Sequence, residues 1–264
     1  MSAVDRESYD ELYRSMPAVW SGRPNRQLVV EAGGLRPGTA LDAGCGEGAD
    51  ALWLAERGWR VTAVDFSSLA LDRGAARAAD QGLDERIEWL HVDLDAWPPP
   101  RERFDLVTAH YLHARGADRS ALFERLAAAV VPGGTLLVVG HLLEGGTDHD
   151  HLAHDPDLFH TAEDVAAVLD PGKWRDVRTE ARERDRQAVE RTGNPAPDTV
   201  LVARRRSGAG QAQLGERHRD GVLVQEVQHE QAVHEHPPAG QPQVGRAQPG
   251  ERRPRPGDGD RRSQ

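Results

Sequence analysis

The sequence has little cysteine and no long hydrophobic run. Cys45 is its one cysteine in 264 residues, which excludes an intramolecular disulfide and any zinc site built from several cysteines. No segment approaches the ~20 consecutive apolar residues that a membrane-spanning helix requires, and residues 1–15 are charged and have no apolar signal core. These absences predict a soluble, cytoplasmic protein without a membrane partner.

Aromatic and apolar residues are also scarce, and their distribution divides the chain. Aromatic residues make up 5% of the sequence, Trp174 is the last of them, and apolar side chains are sparse after Val202. From Ser207 the chain is rich in Gln, Gly, Pro and Arg, a composition that buries too little apolar area to offset its chain entropy. We therefore expect three parts: an N-terminal helical or lid segment at 1–34, one domain at 35–205, and a disordered tail at 206–264.

Acidic residues outnumber basic ones by 43 to 33, so the formal net charge is -10. A field of this sign repels nucleic-acid phosphates at long range. It tolerates a cationic cofactor or a small substrate. The charge therefore predicts that nucleic acid is not a partner, and it leaves the oligomeric state open.

The first 205 residues alternate short apolar runs with amphipathic stretches, which is typical of a parallel sheet covered by helices. The expected parallel strands are residues 39–42, 59–65, 86–93, 104–110 and 135–141. Two further strand patterns, at 173–185 and 198–205, have no helical pattern between them and predict an antiparallel hairpin at the sheet edge. The fold class is therefore α/β, a Rossmann-like doubly wound sheet of seven strands that is mostly parallel.

Acidic residues stand where three of these strands end, and ligands of open parallel sheets bind at that edge. Asp42 ends the first strand, and the loop at 44–48 follows it with glycine at alternate positions, which permits a sharp turn close to a ligand. Asp65, at the end of the second strand, suits the two hydroxyls of a ribose; a plain helix-capping role is the alternative. Asp93 suits an exocyclic adenine amine, with a turn-forming role as its alternative.

Three segments carry a resemblance to a known family. Residues 40–67 (ALDAGCGEGADALWLAERGWRVTAVDFS) resemble the first motif and the following acidic motif of class I S-adenosylmethionine-dependent methyltransferases. Residues 104–113 and 126–140 resemble that family's fourth strand and its Pro-Gly-Gly turn before strand five. The resemblance implies S-adenosylmethionine as cofactor and methyl transfer to a small molecule as activity.

The resemblance also implies a role for each matching residue. The acid at 42 and the glycine loop hold the methionine part of the cofactor, the acid at 65 holds the ribose, and residues 93 and 94 flank the adenine. The residue that ends strand four lies at the inner edge of the cofactor. The implied cofactor-binding set is Asp42, Gly44, Cys45, Gly46, Gly48, Asp65, Phe66, Asp93, Leu94 and His110.

Two other functions remain open from the sequence. A nicotinamide-dependent oxidoreductase usually has a GxGxxG loop that binds a diphosphate at a helix N-terminus. Here the loop is GxGxG and carries Glu47 where a diphosphate would lie, which favours a sulfonium cofactor. A protein that binds S-adenosylmethionine without catalysis, as a sensor or partner subunit, is the second alternative.

Candidate substrate residues lie before strand one and after strand four. Trp20 with the following Ser-Gly-Arg-Pro resembles the N-terminal segment of methyltransferases near the tellurite-resistance and thiopurine groups; packing of an N-terminal helix explains Trp20 equally well. His113 is the candidate base, since its unperturbed pKa lies near 6.5, although an ordinary loop histidine is the alternative. The substrate candidates are Tyr13, Trp20, Arg23 and Tyr111.

A histidine-rich loop invites a metal-site interpretation. His149, His151 and His154 alternate with aspartates between strand five and the next helix, and His and Asp are suitable metal ligands. Polar loops are ordinary at that place in the fold, so we expect a solvated loop and no metal.

Overall fold

The computed structural model describes residues 11–16, 18–112, 116–142, 159–184, 189 and 196–207. The candidate base His113 and the histidine loop at 149–154 lie outside the described residues. So does the chain from residue 208 onward, which includes nearly all of the expected tail. The proposed division of the chain into three parts therefore stays a prediction.

The described strands form one seven-stranded sheet in the order β3-β2-β1-β4-β5-β7-β6. Strands β1 to β5 pair in parallel, while β7 lies between β5 and β6 and is antiparallel to both. The predicted doubly wound sheet with a C-terminal hairpin is confirmed. The strands are β1 Thr39–Ala43, β2 Arg60–Asp65, β3 Ile87–His91, β4 Phe104–His110, β5 Val130–His141, β6 Trp174–Arg182 and β7 Asp198–Arg205.

Helices connect the strands, and some of them show side-chain caps. Ser67 Oγ accepts the backbone N–H of Ala70 at 3.4 Å, and Thr161 forms a capping box with Asp164, so a polar side chain satisfies the first turn of each of these two helices. Residues 11–15 are also helical. The longer elements are α1 Arg26–Ala32, α2 Ala49–Glu56, α3 Ser68–Asp80, α4 Gly116–Ala129 and α5 Ala162–Ala167, with a 3-10 turn at Asp84–Arg86.

Both faces of the sheet are covered, so the central strands are apolar on both sides. Successive residues of a strand face opposite sides, and Leu106 and Val107 of β4 accordingly belong to different hydrophobic clusters. The cluster of Val107 includes Phe123 of α4, and that of Leu106 includes Leu28 of α1. Because each face is closed by apolar packing, polar chemistry is confined to the strand ends.

Two strand ends differ from expectation. Strand β3 stops at His91, so Asp93 lies two residues beyond it. Strand β5 begins at Val130 and includes the Pro-Gly-Gly segment. Its register with β4 shifts between Phe104 and Leu106, which accommodates the extra residues. In the described part of the chain, no helix combines the length and apolar character needed to cross a membrane.

Candidate functional site

Backbone hydrogen bonds from strand β2 fix the glycine loop. The N–H groups of Gly44 and Cys45 both donate to the carbonyl of Val64, at 2.9 and 3.0 Å. Gly46 N donates to Asp65 Oδ2 at 2.8 Å. The φ angle of Gly46 is 53°, in the left-handed region where glycine is favoured. Three successive N–H groups of the loop are therefore hydrogen-bonded within the protein, so they are not available to bind a diphosphate.

Asp65 lies where the sequence predicts it, beside the glycine loop. Its side chain is 5% exposed, and its Oδ1 accepts the N–H of Ser67 at 2.9 Å. Burial raises the pKa of this carboxyl, while backbone N–H donors counteract that effect. An ionised carboxylate offers about four acceptor positions, and the backbone N–H groups of Ser67, Gly46 and Phe66 still leave acceptor capacity for a ribose hydroxyl. Asp65 therefore shapes the loop, and its cofactor role stays a prediction.

A buried acidic cluster lies next to the loop at the ends of β1 and β4. Asp42 is 2% exposed; its Oδ1 accepts a hydrogen bond from Thr108 at 3.3 Å. Its Oδ2 is buried and has no hydrogen-bond partner among the described residues. Burial, reinforced by the nearby charge of Asp50, raises the pKa of Asp42 to about 7. This unpartnered acceptor indicates a ligand that donates or carries positive charge.

His110 completes this cluster from the end of β4. Its Nδ1 lies 2.6 Å from Asp50 Oδ2, and its side chain is 6% exposed. Its Nε2 is buried and also lacks a partner among the described residues. Burial acts to lower the pKa of His110, but the carboxylates of Asp50 and Asp42 outweigh it and raise the pKa overall.

Asp50 is a site residue that the sequence interpretation missed. It stands in the first turn of α2, where an acid is ordinary because it complements the helix dipole. Its Oδ1 accepts the N–H of Asn25 at 2.6 Å, so it also ties the start of α1 to the site. No local pattern pairs residue 50 with residue 110; only the parallel order of β1 and β4 brings them together.

On the expected adenine side, the structure shows turn contacts. Asp93 Oδ1 accepts the N–H of Asp95 at 3.0 Å, and its carbonyl accepts from Ala96 and Trp97. This is the turn-forming role stated as the alternative for Asp93. Leu94 is 8% exposed, whereas Phe66 and Asp93 are half-buried. Their contact with adenine stays a prediction.

The N-terminal segment packs onto the glycine loop. Trp20 Nε1 donates to the hydroxyl of Tyr13 at 3.0 Å, and both atoms face Gly46 so closely that a Cβ there would lie 3.1 and 3.2 Å from them. Tyr13 is buried, while Trp20 is 43% exposed. The structure thus brings two of the substrate candidates to the loop, and the third, Arg23, is exposed.

Glu47 faces this N-terminal segment. Its carboxylate pairs with Arg73 at 2.8 Å and accepts the N–H groups of Val19 and Trp20 at 3.2 to 3.3 Å. The expectation that Glu47 would repel a diphosphate is therefore wrong, because its charge is compensated.

At the end of β4, Tyr111 lies in a second polar group, the Arg184–Asp198 cluster, formed by Tyr111, His141, Arg184 and Asp198. Asp198 Oδ1 accepts from Arg184 Nε at 2.9 Å and from the Tyr111 hydroxyl at 3.1 Å. Tyr111 stacks on His141 with ring centroids 4.4 Å apart, and its φ of 52° is unusual for a non-glycine residue. The sequence interpretation missed Arg184 and Asp198, since neither lies in a recognisable motif.

Comparisons with known proteins report which sequences and folds this chain resembles. Residues 40–134 match the family model described as a methyltransferase domain. An uncharacterized methyltransferase of Mycobacterium tuberculosis is 43% identical over 100 residues, which are 38% of this chain and 48% of the relative. The chain thus spans about half the length of that curated relative.

Two solved structures share the fold. One is Burkholderia thailandensis 1,6-didemethyltoxoflavin-N1-methyltransferase with bound 1,6-didemethyltoxoflavin and S-adenosylhomocysteine, at a TM-score of 0.58 and 24% identity, covering 78% of this chain and 88% of that one. The other is the [4+2]-cyclase SpnF, at a TM-score of 0.55 and 20% identity, covering 76% and 96%.

The sheet order, the glycine loop and the family match over residues 40–134 together support a methyltransferase domain of the class I, S-adenosylmethionine-dependent type. The resemblance noted from residues 40–67, 104–113 and 126–140 is confirmed at the level of the family.

Proposed function

We propose that the protein binds S-adenosylmethionine at the glycine loop and transfers its methyl group to a small molecule. One observation carries this proposal: the buried oxygen Asp42 Oδ2 lies beside the loop and has no partner among the described residues. A buried acceptor left unpaired costs about 1–3 kcal/mol. A ligand with an ammonium or sulfonium group offsets that cost, and a diphosphate does not.

The donor set fits the cofactor. Asp65 keeps free acceptor positions for ribose hydroxyls, and Asp42 provides an acceptor for the methionine ammonium. Leu94 supplies a buried apolar surface for the adenine. The loop N–H groups are already bonded to Val64 and Asp65, so the site is built to accept hydrogen bonds more than to donate them.

The protein contributes to catalysis by positioning the two reactants and by excluding water. S-adenosylmethionine supplies an already activated methyl group, which an acceptor takes in an in-line displacement. Fixing two reactants in alignment lowers such a barrier by about 7–11 kcal/mol at best. The rigid loop fixes one reactant, and the Tyr13–Trp20 pair covers the loop from outside. A base is needed only where the acceptor keeps its proton; His113 is one candidate.

A small acceptor is the finer part of the proposal. The formal net charge of -10 opposes unaided binding to nucleic acid, and the Burkholderia thailandensis neighbour holds a small molecule. We infer that the acceptor enters past Tyr111, beside the end of β4. The shared fold with a [4+2]-cyclase supports a second candidate, a protein that binds the cofactor without transferring its methyl group.

The test is product formation. Purified full-length protein is incubated with radiolabelled S-adenosylmethionine and small thiol, selenol, phenol and amine acceptors, and methylated product is counted against a boiled sample. We expect label in at least one small acceptor. Cofactor binding without transfer to any acceptor would support the second candidate. In parallel incubations with RNA and with protein, transfer to either of these alone would contradict the small-molecule assignment.

A further inference from the structure

The imidazole of His110 is held in the way that a catalytic histidine is held. Its Nδ1 lies 2.6 Å from Asp50 Oδ2, a separation typical of a strong, charge-assisted hydrogen bond. When a carboxylate accepts from Nδ1–H, the lone pair of a neutral imidazole resides on Nε2. In His110 that nitrogen is buried and has no partner among the described residues.

Asp50 is itself fixed by an independent contact. Its second oxygen, Oδ1, accepts the N–H of Asn25 at 2.6 Å. Asn25 in turn caps α1, because its side-chain oxygen accepts the N–H of Gln27 at 2.8 Å. The carboxylate is therefore anchored from both oxygens, and it leaves the imidazole little freedom to rotate.

We propose that His110 and Asp50 form a catalytic dyad: His110 Nε2 takes the proton from the methyl acceptor, and Asp50 is the positioning residue that orients the ring. This inference rests on the proposed methyl transfer. It assigns the acceptor to the class that keeps its proton at neutral pH, an O–H or N–H group, because an ionised thiolate needs no base.

The proposed reaction is a displacement at the methyl carbon that is coupled to proton transfer from the acceptor. The acceptor atom forms a bond to the methyl carbon while the carbon–sulfur bond of the cofactor breaks, and that electron pair stays on sulfur. The acceptor's X–H bond breaks, its electron pair stays on X, and the proton moves to His110 Nε2. The ring then carries a positive charge, which the Asp50 carboxylate stabilises at 2.6 Å.

Three carboxylates face His110 from the elements packed around it. Asp50 belongs to α2, Asp42 to β1 and Asp198 to β7, and all three favour the protonated ring. Asp198 is itself paired with Arg184 at 2.9 Å. The raised pKa of His110 strengthens the base, and it moves the acid limb of the rate profile toward higher pH than an unperturbed histidine would give.

The first experiment needs no acceptor. Long-range proton–nitrogen NMR spectra of 15N-labelled, cofactor-free full-length protein report the protonation of each imidazole nitrogen, and the His110 signals are identified by their loss in His110→Asn and His110→Gln. At pH values above the midpoint of the His110 titration, we expect the Nδ1–H tautomer in the wild type. Asp50→Asn should lower the midpoint and populate the Nε2–H tautomer. Asp72→Asn, on the exposed side of α3, should leave both unchanged.

The second experiment compares a phenol with an aromatic thiol as acceptors, counting S-adenosylhomocysteine formed across pH. In His110→Asn the ratio of kcat on the phenol to kcat on the ionised thiol should fall by about 100-fold or more, the usual contribution of general-base catalysis. Asp50→Asn should shift the acid limb to lower pH. Calorimetric titration with S-adenosylmethionine checks that each variant still binds the cofactor.

The outcomes separate this proposal from the proposed function. A wild-type Nε2–H tautomer, or a midpoint that Asp50→Asn does not move, overturns the dyad even if neither acceptor is methylated. Methyl transfer to the phenol at an unchanged rate in His110→Asn overturns it as well, while leaving the methyltransferase assignment intact. Failure of the wild-type protein to bind S-adenosylmethionine contradicts the proposed function instead.

Discussion

The acidic cluster around Asp42 and the Arg184–Asp198 cluster lie at the same edge of the sheet. They differ in whether their buried carboxylates are paired. Asp198 starts β7 opposite His141 at the end of β5, and its carboxylate is bonded to Arg184 and Tyr111. Asp42 ends β1, and its Oδ2 has no partner in the described part of the chain. A structural cluster satisfies its charges internally, whereas a binding site leaves some for its ligand.

Breaking the satisfied cluster should cost the most stability. Asp198→Ala leaves the Arg184 guanidinium, whose side chain is 4% exposed, without its charge partner. Removing one member of a buried pair costs about 3–5 kcal/mol, which urea denaturation measures. The double variant Arg184→Met/Asp198→Ala should lose less than the sum of the two single variants; strict additivity would show that the two groups are not coupled.

Removing the unpaired charge of Asp42 should instead increase the free energy of unfolding. The pKa of Asp42 rises from 3.8 to about 7 on folding, so the folded state binds more protons than the unfolded state between these values. Stability attributable to this group therefore falls as pH rises from about 4 to 7 and stays low above that range. Asp42→Asn should raise the free energy of unfolding of the cofactor-free protein at pH 8 by up to about 4 kcal/mol.

The same Asp42→Asn variant should show little gain at pH 4, where the folded wild-type carboxyl is protonated and the unfolded one, with a pKa of 3.8, is only about half ionised. Its affinity for S-adenosylmethionine should fall at pH 8, where the wild-type carboxyl is ionised, and by less at pH 4. Urea denaturation at the two pH values, with calorimetry, gives all of these quantities. A variant that is less stable than wild type at pH 8 would show that Asp42 is satisfied without a ligand.

Asp65 combines features of the two clusters, since it serves the loop and keeps acceptor capacity. Asp65→Ala should weaken S-adenosylmethionine binding by about 1.5–3 kcal/mol, the range for hydrogen bonds to a charged group. It should also lower stability, because Gly46 and Ser67 lose their acceptor. The exposed Asp72→Ala is the matched control. Unchanged affinity in a folded variant would remove Asp65 from the cofactor site.

The smallest effect concerns the packing that holds the glycine loop. Gly48 and Gly82 have similar left-handed φ angles of 74° and 67°. Alanine at either position therefore introduces a similar backbone strain of about 1–2 kcal/mol. A Cβ at Gly48 would overlap the Trp89 ring, whereas nothing lies within 4 Å at Gly82. Gly48→Ala should therefore be the more destabilising by about 1–3 kcal/mol. Equal melting temperatures would show that Trp89 moves aside freely.

The sequence predicts the half of the site that depends on local patterns. Asp42 and Asp65 are recognisable because each directly ends an apolar run, and the loop at 44–48 because its glycines alternate. The parallel strands and the C-terminal hairpin follow from the same patterns. These features are encoded within a few residues of one another.

The other half depends on contacts between distant segments. Asp50 reaches His110 across 60 positions, and Gln27 donates to Asp198 across 171. Such pairs form only once the folded sheet and its helices place them side by side, and no spacing rule marks them beforehand. Glu47 shows the converse, since its position in the loop indicates a ligand-facing charge while Arg73 of α3 compensates it.

The central claim is that the unpaired acceptors beside the glycine loop bind S-adenosylmethionine. Isothermal titration of the purified full-length protein with S-adenosylmethionine, S-adenosylhomocysteine and NAD tests it most directly. The account predicts micromolar binding of the first two and no heat with NAD. Binding of NAD without either adenosyl compound would contradict it.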